Sequence, residues 1–251
     1  MSVTYANDAL IPGLRTLWKK AFGDTDEFLD LFFSTAYAPN RCRCIADGEN
    51  VQSALYWFDC FQGSDKIAYI YAVATDPACR GRGLCRRVME DTMEVLRDRG
   101  YAGAILLPQE EWLIAMYAGM GFEACTTVTE RWFPAGEEIP VRQIDETEYA
   151  ALRREMLPAG GVIQEGENMT FLAGMAKFCK GENFIAAVTA DGEELWCPEF
   201  LGDSEAVPGL VRALGFPAGR VRMPGKSRQF AMFRSLTKVS QKPKYFGLVF
   251  D

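Results

Sequence analysis

Residues 80–87 read Arg-Gly-Arg-Gly-Leu-Cys-Arg-Arg: four arginines and two glycines in a chain whose 34 acidic and 27 basic residues leave a formal charge of −7. Glycine at 81 and 83 permits backbone conformations that a Cβ forbids, so successive N–H groups can turn toward one point. A helix beginning near Leu84 adds unpaired N–H donors and the positive end of its dipole. Arg80, Arg82, Arg86 and Arg87 put full charges beside them. The chemistry this suits is the grip of a pyrophosphate. An arginine-rich solvated loop capping a helix is the plainer reading; the strong strand before the loop and the amphipathic helix after it favour the pyrophosphate.

Other chemistries are narrowed by what is missing. A dinucleotide-binding turn wants a third glycine at 86, where arginine stands. A P-loop wants a Gly-Lys-Ser/Thr ending that nothing after Gly81 supplies. The chain has no histidine, so a Ser–His–Asp triad, a Cys–His pair and a His-ligated metal are excluded. The eight cysteines, at 42, 44, 60, 79, 85, 125, 179 and 197, form no Cys-x-x-Cys pair. They read as reduced, mostly buried small hydrophobes, and no metal is expected.

Such a loop needs a scaffold. Lys66–Thr75 is the strongest strand in the chain and runs straight into Asp76-Pro77. Leu84, Val88, Val95 and Leu96 share one face of a helix that ends at Gly100. Ala102–Leu107 reads as a short strand, Glu110–Met120 as a helix ended by Gly121, and Phe122 as the start of another strand. Upstream, Ile11–Phe22 has helical spacing, and Asp24 with Glu27 reads as a capping box for a helix through Phe33. Arg41–Ala46 and Val51–Phe58 read as strands around Asp47-Gly48-Glu49-Asn50.

After a linker at Phe133–Glu138 the grammar is similar. Helices are expected over Glu146–Met156, Asn168–Lys180 and Glu205–Leu214, and strands over Asn183–Thr189 and Glu194–Leu201. Three further strands follow, the last of them the apolar Lys244–Asp251. The expectation is an α+β chain, mixed sheets with flanking helices, in two domains at 1–135 and 139–251. No run of about 18 apolar residues suggests a membrane span, and Met1–Asn7 has no basic-then-apolar leader, so a cytoplasmic protein is expected. The negative charge disfavours nucleic acid and suits a cationic amine partner.

Val73-Ala74-Thr75-Asp76-Pro77 followed by Arg80-Gly81-Arg82-Gly83-Leu84 resembles motif A of the Gcn5-related N-acetyltransferases: Gln or Arg, Gly three residues on, then Gly or Ala. Ala115-Met116-Tyr117 with Gly121-Phe122 resembles that family's motif B, in the right order and at the right distance. Two departures stand out. Cys85 replaces the usual small residue that closes motif A, and Glu110 stands where an Asn is common.

The resemblance implies an acyl-CoA N-acyltransferase fold over the first half and acetyl-CoA as the coenzyme. Backbone groups of Val73, Ala74 and Thr75 would bind the pantetheine arm, and amides from Gly81, Arg82, Gly83, Leu84, Cys85 and Arg86, with Arg80 beside them, the pyrophosphate. An N–H near Val73 would stabilise the oxyanion while a primary amine, on a small molecule or a peptide, attacks directly. Tyr117 matches the position that protonates the departing thiolate; its plainer reading is an amphipathic core residue. The general base is not legible; Glu110 and Glu111 are near in sequence but read equally as solvated helix-start residues. By analogy with tandem bacterial acetyltransferases of the enhanced-intracellular-survival type, Asp251 is a candidate for an active-site carboxylate. The second half, lacking the loop, reads as a degenerate unit of the same kind that shapes the acceptor site, or as an unrelated α+β domain. An aminoacyl or longer-chain acyl transferase, and an acyl-CoA sensor or scaffold with a vestigial site, are the alternatives.

Overall fold

The computed structural model describes residues 2–238 and 241–250. They fall into two compact units, the first drawn from Met1–Glu123 and Phe233–Ser240, the second from Ala124–Met232 and Gln241–Asp251. The sequence expectation put the division at the 133–138 linker; the chain changes unit about ten residues earlier and returns to the first near its end.

The first unit opens with β1 (Thr4–Tyr5), α1 (Ile11–Phe22) and α2 (Asp26–Thr35). Leu14, Leu17 and Trp18 give α1 a buried face, and the Trp18 ring packs 4.6 Å from Phe32 and 5.2 Å from Tyr56. The cap of α2 differs from expectation. Thr25, not Asp24, accepts from the Phe28 amide, at 3.3 Å, because Asp24 is turned to the Trp18 indole N–H at 2.7 Å. Then come β2 (Cys42–Asp47), β3 (Asn50–Gln62), β4 (Asp65–Thr75), α3 (Leu84–Asp98), β5 (Gly103–Leu106), α4 (Glu111–Ala118) and β6 (Glu123–Ala124). Strands β1 to β4 pair antiparallel in order, and β5 joins β4 in parallel after the α3 crossover. Leu84, Val88, Met89, Met93 and Leu96 bury one face of α3.

The second unit holds β7 (Thr127–Pro134), β8 (Arg142–Ile144), α5 (Glu146–Met156), β9 (Ile163–Gln164), α6 (Glu167–Ala173), β10 (Lys177–Lys180), β11 (Phe184–Asp191), β12 (Glu194–Gly202), α7 (Val207–Ala213), β13 (Ala218–Pro224) and β14 (Arg228–Gln229). The helix expected over Asn168–Lys180 is therefore a short helix and a strand. Gly174 ends α6, and Phe178 and Cys179 are both buried, one on each face of β10. The expected strand at Lys244–Asp251 is not one. Tyr245 makes an isolated bridge to Gly161, with backbone bonds from Lys244 N to Gly160 O and from Val162 N to Tyr245 O, each at 2.9 Å, and the side chains of Arg222 and Gln164 donate to Gly247 O and Leu248 O.

The last strand, β15 (Met232–Ser235), goes back to the first sheet and lies between β5 and β6, whereas β7 lies between β13 and β14 in the second. Read across, β1-β2-β3-β4-β5-β15-β6 and β8-β10-β11-β12-β13-β7-β14 are the same succession. Each has a parallel pair bridged by a helix, and each has a bulge just before the crossover. The two halves are one fold used twice.

Candidate active site

Pairing of β4 with β5 covers only Ile67–Tyr69 against Gly103–Ile105, while β4 runs on to Thr75. Beyond that point β4 bulges. Ala54 faces Ala74 and Tyr56 faces Tyr71, so Leu55 stands opposite both Ala72 and Val73, and Ala72 takes a φ of 47°. A bulge turns a strand edge and breaks its regular pairing. Val73, Ala74 and Thr75 thus lie on the part of β4 beyond its pairing with β5, a strand that ends at Leu106.

The end of β4 is fixed from three directions. Ser53 Oγ on β3 donates to Ala74 O at 2.9 Å and lies 2.9 Å from Thr75 Oγ1. The Asp76 amide donates to Gln52 O at 2.9 Å. The Asp76 carboxylate caps the 3₁₀ turn Pro77–Cys79 by accepting from Ala78 N at 2.9 Å, and it also accepts from Lys20 Nζ at 2.8 Å. Lys20 first, and the Ala78 amide second, hold this carboxyl below the ordinary carboxylate range.

The loop then delivers helix donors. Gly81 and Gly83 have φ of 75° and 72°, conformations in which a side chain is strained. Space around both is open to 4 Å. Helix α3 starts with no acidic residue in its first turn and no side-chain cap, so no carboxylate competes for its first amides. Arg80, Arg82 and Arg86 are exposed while Leu84 is buried. Arg82 Nη1 lies 3.7 Å from Cys79 Sγ, and Arg86 Nη1 donates to Gly119 O at 3.0 Å, tying α3 to the end of α4.

Cys85 is half-buried, and burial raises its thiol above the usual value against the opposing pull of Arg86. A reactive thiolate is therefore not what the helix start produces here. Tyr117 is buried on α4 with its ring 5.9 Å from Phe122, edge to face. Burial pushes its phenol well up, and Cys85 adds to the push, so the two side chains lie within electrostatic reach. Glu110 and Glu111 are exposed, and the Glu110 carboxylate accepts from the Trp112 indole N–H of its own helix. Asp251 lies outside the described residues. Sequence reasoning missed Ser53, Lys20 and the Ala72 bulge; Asp76, as an Asp-Pro pair, carried a turn signal.

The equivalent place in the second unit is filled. Its β12 bulge brings Glu199 to the position that Ala74 takes in β4. Glu199 is buried and bound by Arg153 at 2.6 and 3.0 Å and by the Tyr149 and Tyr245 hydroxyls, each at 3.1 Å. Arg222 of β13 donates to Gly247 O at 3.2 Å, so residues 245–247 lie against both strands where their pairing ends. The connection to α7 carries Asp203 and Glu205 in place of arginines and glycines.

An acetyltransferase (GNAT) domain family matches residues 2–125. No curated protein matches the chain in sequence. A Gcn5-related N-acetyltransferase from Anabaena variabilis superposes with a TM-score of 0.75 at 14% identity, covering 94% of this chain and 72% of that one. Eis1 from Mycobacterium abscessus gives 0.65 at 12%, over 94% and 74%. A tandem GNAT protein from the clavulanic acid biosynthesis pathway gives 0.59 at 12%, over 95% and 99%. Identities this low speak for the fold alone, and they do so over nearly the whole chain. A glycine loop on an uncapped helix, a strand that runs on past its neighbour, and a second unit of the same topology are thus joined to a domain match: residues 2–125 belong to the acetyltransferase (GNAT) family, and the chain carries the acyltransferase fold as two tandem units.

Proposed function

We propose that the protein transfers an acetyl group from acetyl-CoA to a primary amine, on a small molecule or a peptide, by direct attack. The observation that carries this reading is the start of α3, where two positive-φ glycines lead into a helix N-terminus without acid or side-chain cap. That is a pyrophosphate site by its physics. Amides of Gly81, Arg82, Gly83, Leu84, Cys85 and Arg86 would hold the coenzyme's pyrophosphate with Arg80 alongside, and the backbone of Val73, Ala74 and Thr75 its pantetheine arm.

When bound, the coenzyme supplies an acetyl thioester. A backbone N–H near Val73 would polarise its carbonyl oxygen as the amine nitrogen bonds to carbon. Tyr117 would donate its O–H to the sulfur that leaves as the C–S bond breaks. A thiol has a pKa of about 8.5, and burial lifts the phenol above its own ordinary value. Tyr117 thus acts chiefly as a hydrogen-bond donor, and its contribution is modest. The ammonium proton leaves through water or a carboxylate, for which we propose Asp251.

The test is calorimetric titration of the full chain with acetyl-CoA, beside Gly83→Glu, which puts a carboxylate at the helix start. Micromolar binding lost in the variant supports the reading and is followed by thiol-release assays with a panel of amines. Absence of binding by the parent chain leaves a scaffold instead.

A further inference from the structure

Helix α4 carries Tyr117 yet has little of its own to hold it. It spans eight residues, short of the dozen or so, about 12, at which isolated helices become even marginal in water. The Glu110 carboxylate bonds Trp112 instead of capping the helix amides. Its outer side is open, with Trp112 and Ile114 exposed by 62% and 42%.

What fixes α4 is its far end. Gly121 turns there with a φ of 83°. The carbonyls of Gly119 and Met120, which the end of a helix leaves without backbone partners, are both taken by guanidinium groups. Arg86 Nη1 reaches Gly119 O from α3. Arg234 Nη1 donates to Met120 O at 2.8 Å and to Glu90 Oε2 at 2.8 Å. One guanidinium thus joins β15, α3 and the end of α4. A Cβ at Gly121 would lie 3.5 Å from Arg234 Nε, so the arginine stem passes over the turn itself. As a half-exposed ion pair, Arg234 with Glu90 contributes little stability; its geometry serves placement.

We infer that Arg234 is a positioning residue for Tyr117, an inference that rests on the acyl-transfer role given to that tyrosine above. The strand that returns late in the chain thereby sets the donor of the first unit.

The test uses Arg234→Met, which keeps the apolar stem and removes the donors, in the full chain. Amide exchange over residues 111–122 should rise about tenfold while residues 184–200 stay unchanged. The acetyl-CoA Kd should stay within about twofold, since the α3 loop is not touched. With spermidine, tyramine and a free-α-amine peptide as acceptors, kcat should fall about tenfold, but less than about twofold when the change is added to Tyr117→Phe. Arg234→Lys should recover part of both effects. Unchanged exchange in α4, a rise spread over the whole chain, or rate losses that multiply with Tyr117→Phe would each overturn the inference. If the parent chain turns over none of the acceptors, the acetyl-transfer reading is what falls, and the exchange result alone decides whether Arg234 positions α4.

Discussion

At the residue scale, Tyr117 and Cys85 share one physical cause. Both are withdrawn from water, and in both the ionised form is disfavoured, so the phenol and the thiol are pushed up together. The sign gives a pH prediction. A raised phenol keeps its proton through and beyond its ordinary pKa of about 10, so kcat should show no downturn from tyrosine ionisation near that pH. Tyr117→Phe should lower kcat by about tenfold across the range, below the usual size of general-acid effects because a thiolate is a good leaving group, with the acetyl-CoA Kd unchanged. Steady-state kinetics against pH, paired with calorimetry, would check it. An alkaline limb near 10 that disappears in Tyr117→Phe would show the phenol exposed and unshifted.

At the element scale, β15 enters the first sheet through one missing side chain. A Cβ on Gly103 of β5 would stand 2.1 Å from Phe233 Cζ, so the ring of β15 occupies the space that glycine leaves. The amides of Leu236 and Thr237 then both donate to Ala102 O, at 2.9 and 3.2 Å. Gly103→Ala should therefore destabilise the chain by about 1–3 kcal/mol, the range of overpacked interiors. Urea unfolding measures this. An unchanged midpoint would mean that Phe233 yields easily and that β15 is loosely seated.

At the scale of the molecule, two copies of one topology have opposite fates. The first keeps a run of β4 past the end of β5, the bulge and the uncapped α3. The second places a buried carboxylate at its bulge and answers it with Arg153, Tyr149 and Tyr245. Removing one partner of such a pair leaves a buried charge, which is costly, so the plug is held by its own electrostatics. The prediction is one acetyl-CoA per chain, read from the calorimetric stoichiometry and abolished by the single change Gly83→Glu. A residual second site in that variant would show that the Glu199 network opens.

The loop from Arg80 to Arg86, the helix after it, the Tyr117 helix and its Gly121 turn were all legible because each is set by contiguous residues under backbone rules: positive φ wants glycine, a helix face repeats, a helix start exposes amides. The family resemblance rested on those same short runs. The helix expected at Asn168–Lys180 misled because a short apolar run such as Phe178-Cys179 does not by itself separate a buried helix segment from a buried strand, and only sheet pairing with β11 decides between them. The Ala72 bulge, the Ser53 and Lys20 ties, the exchange of β7 and β15 and the reach of Arg234 over 114 and 144 residues leave no local mark. They depend on which distant segments share a sheet, and that is settled by burial and pairing in the folded chain.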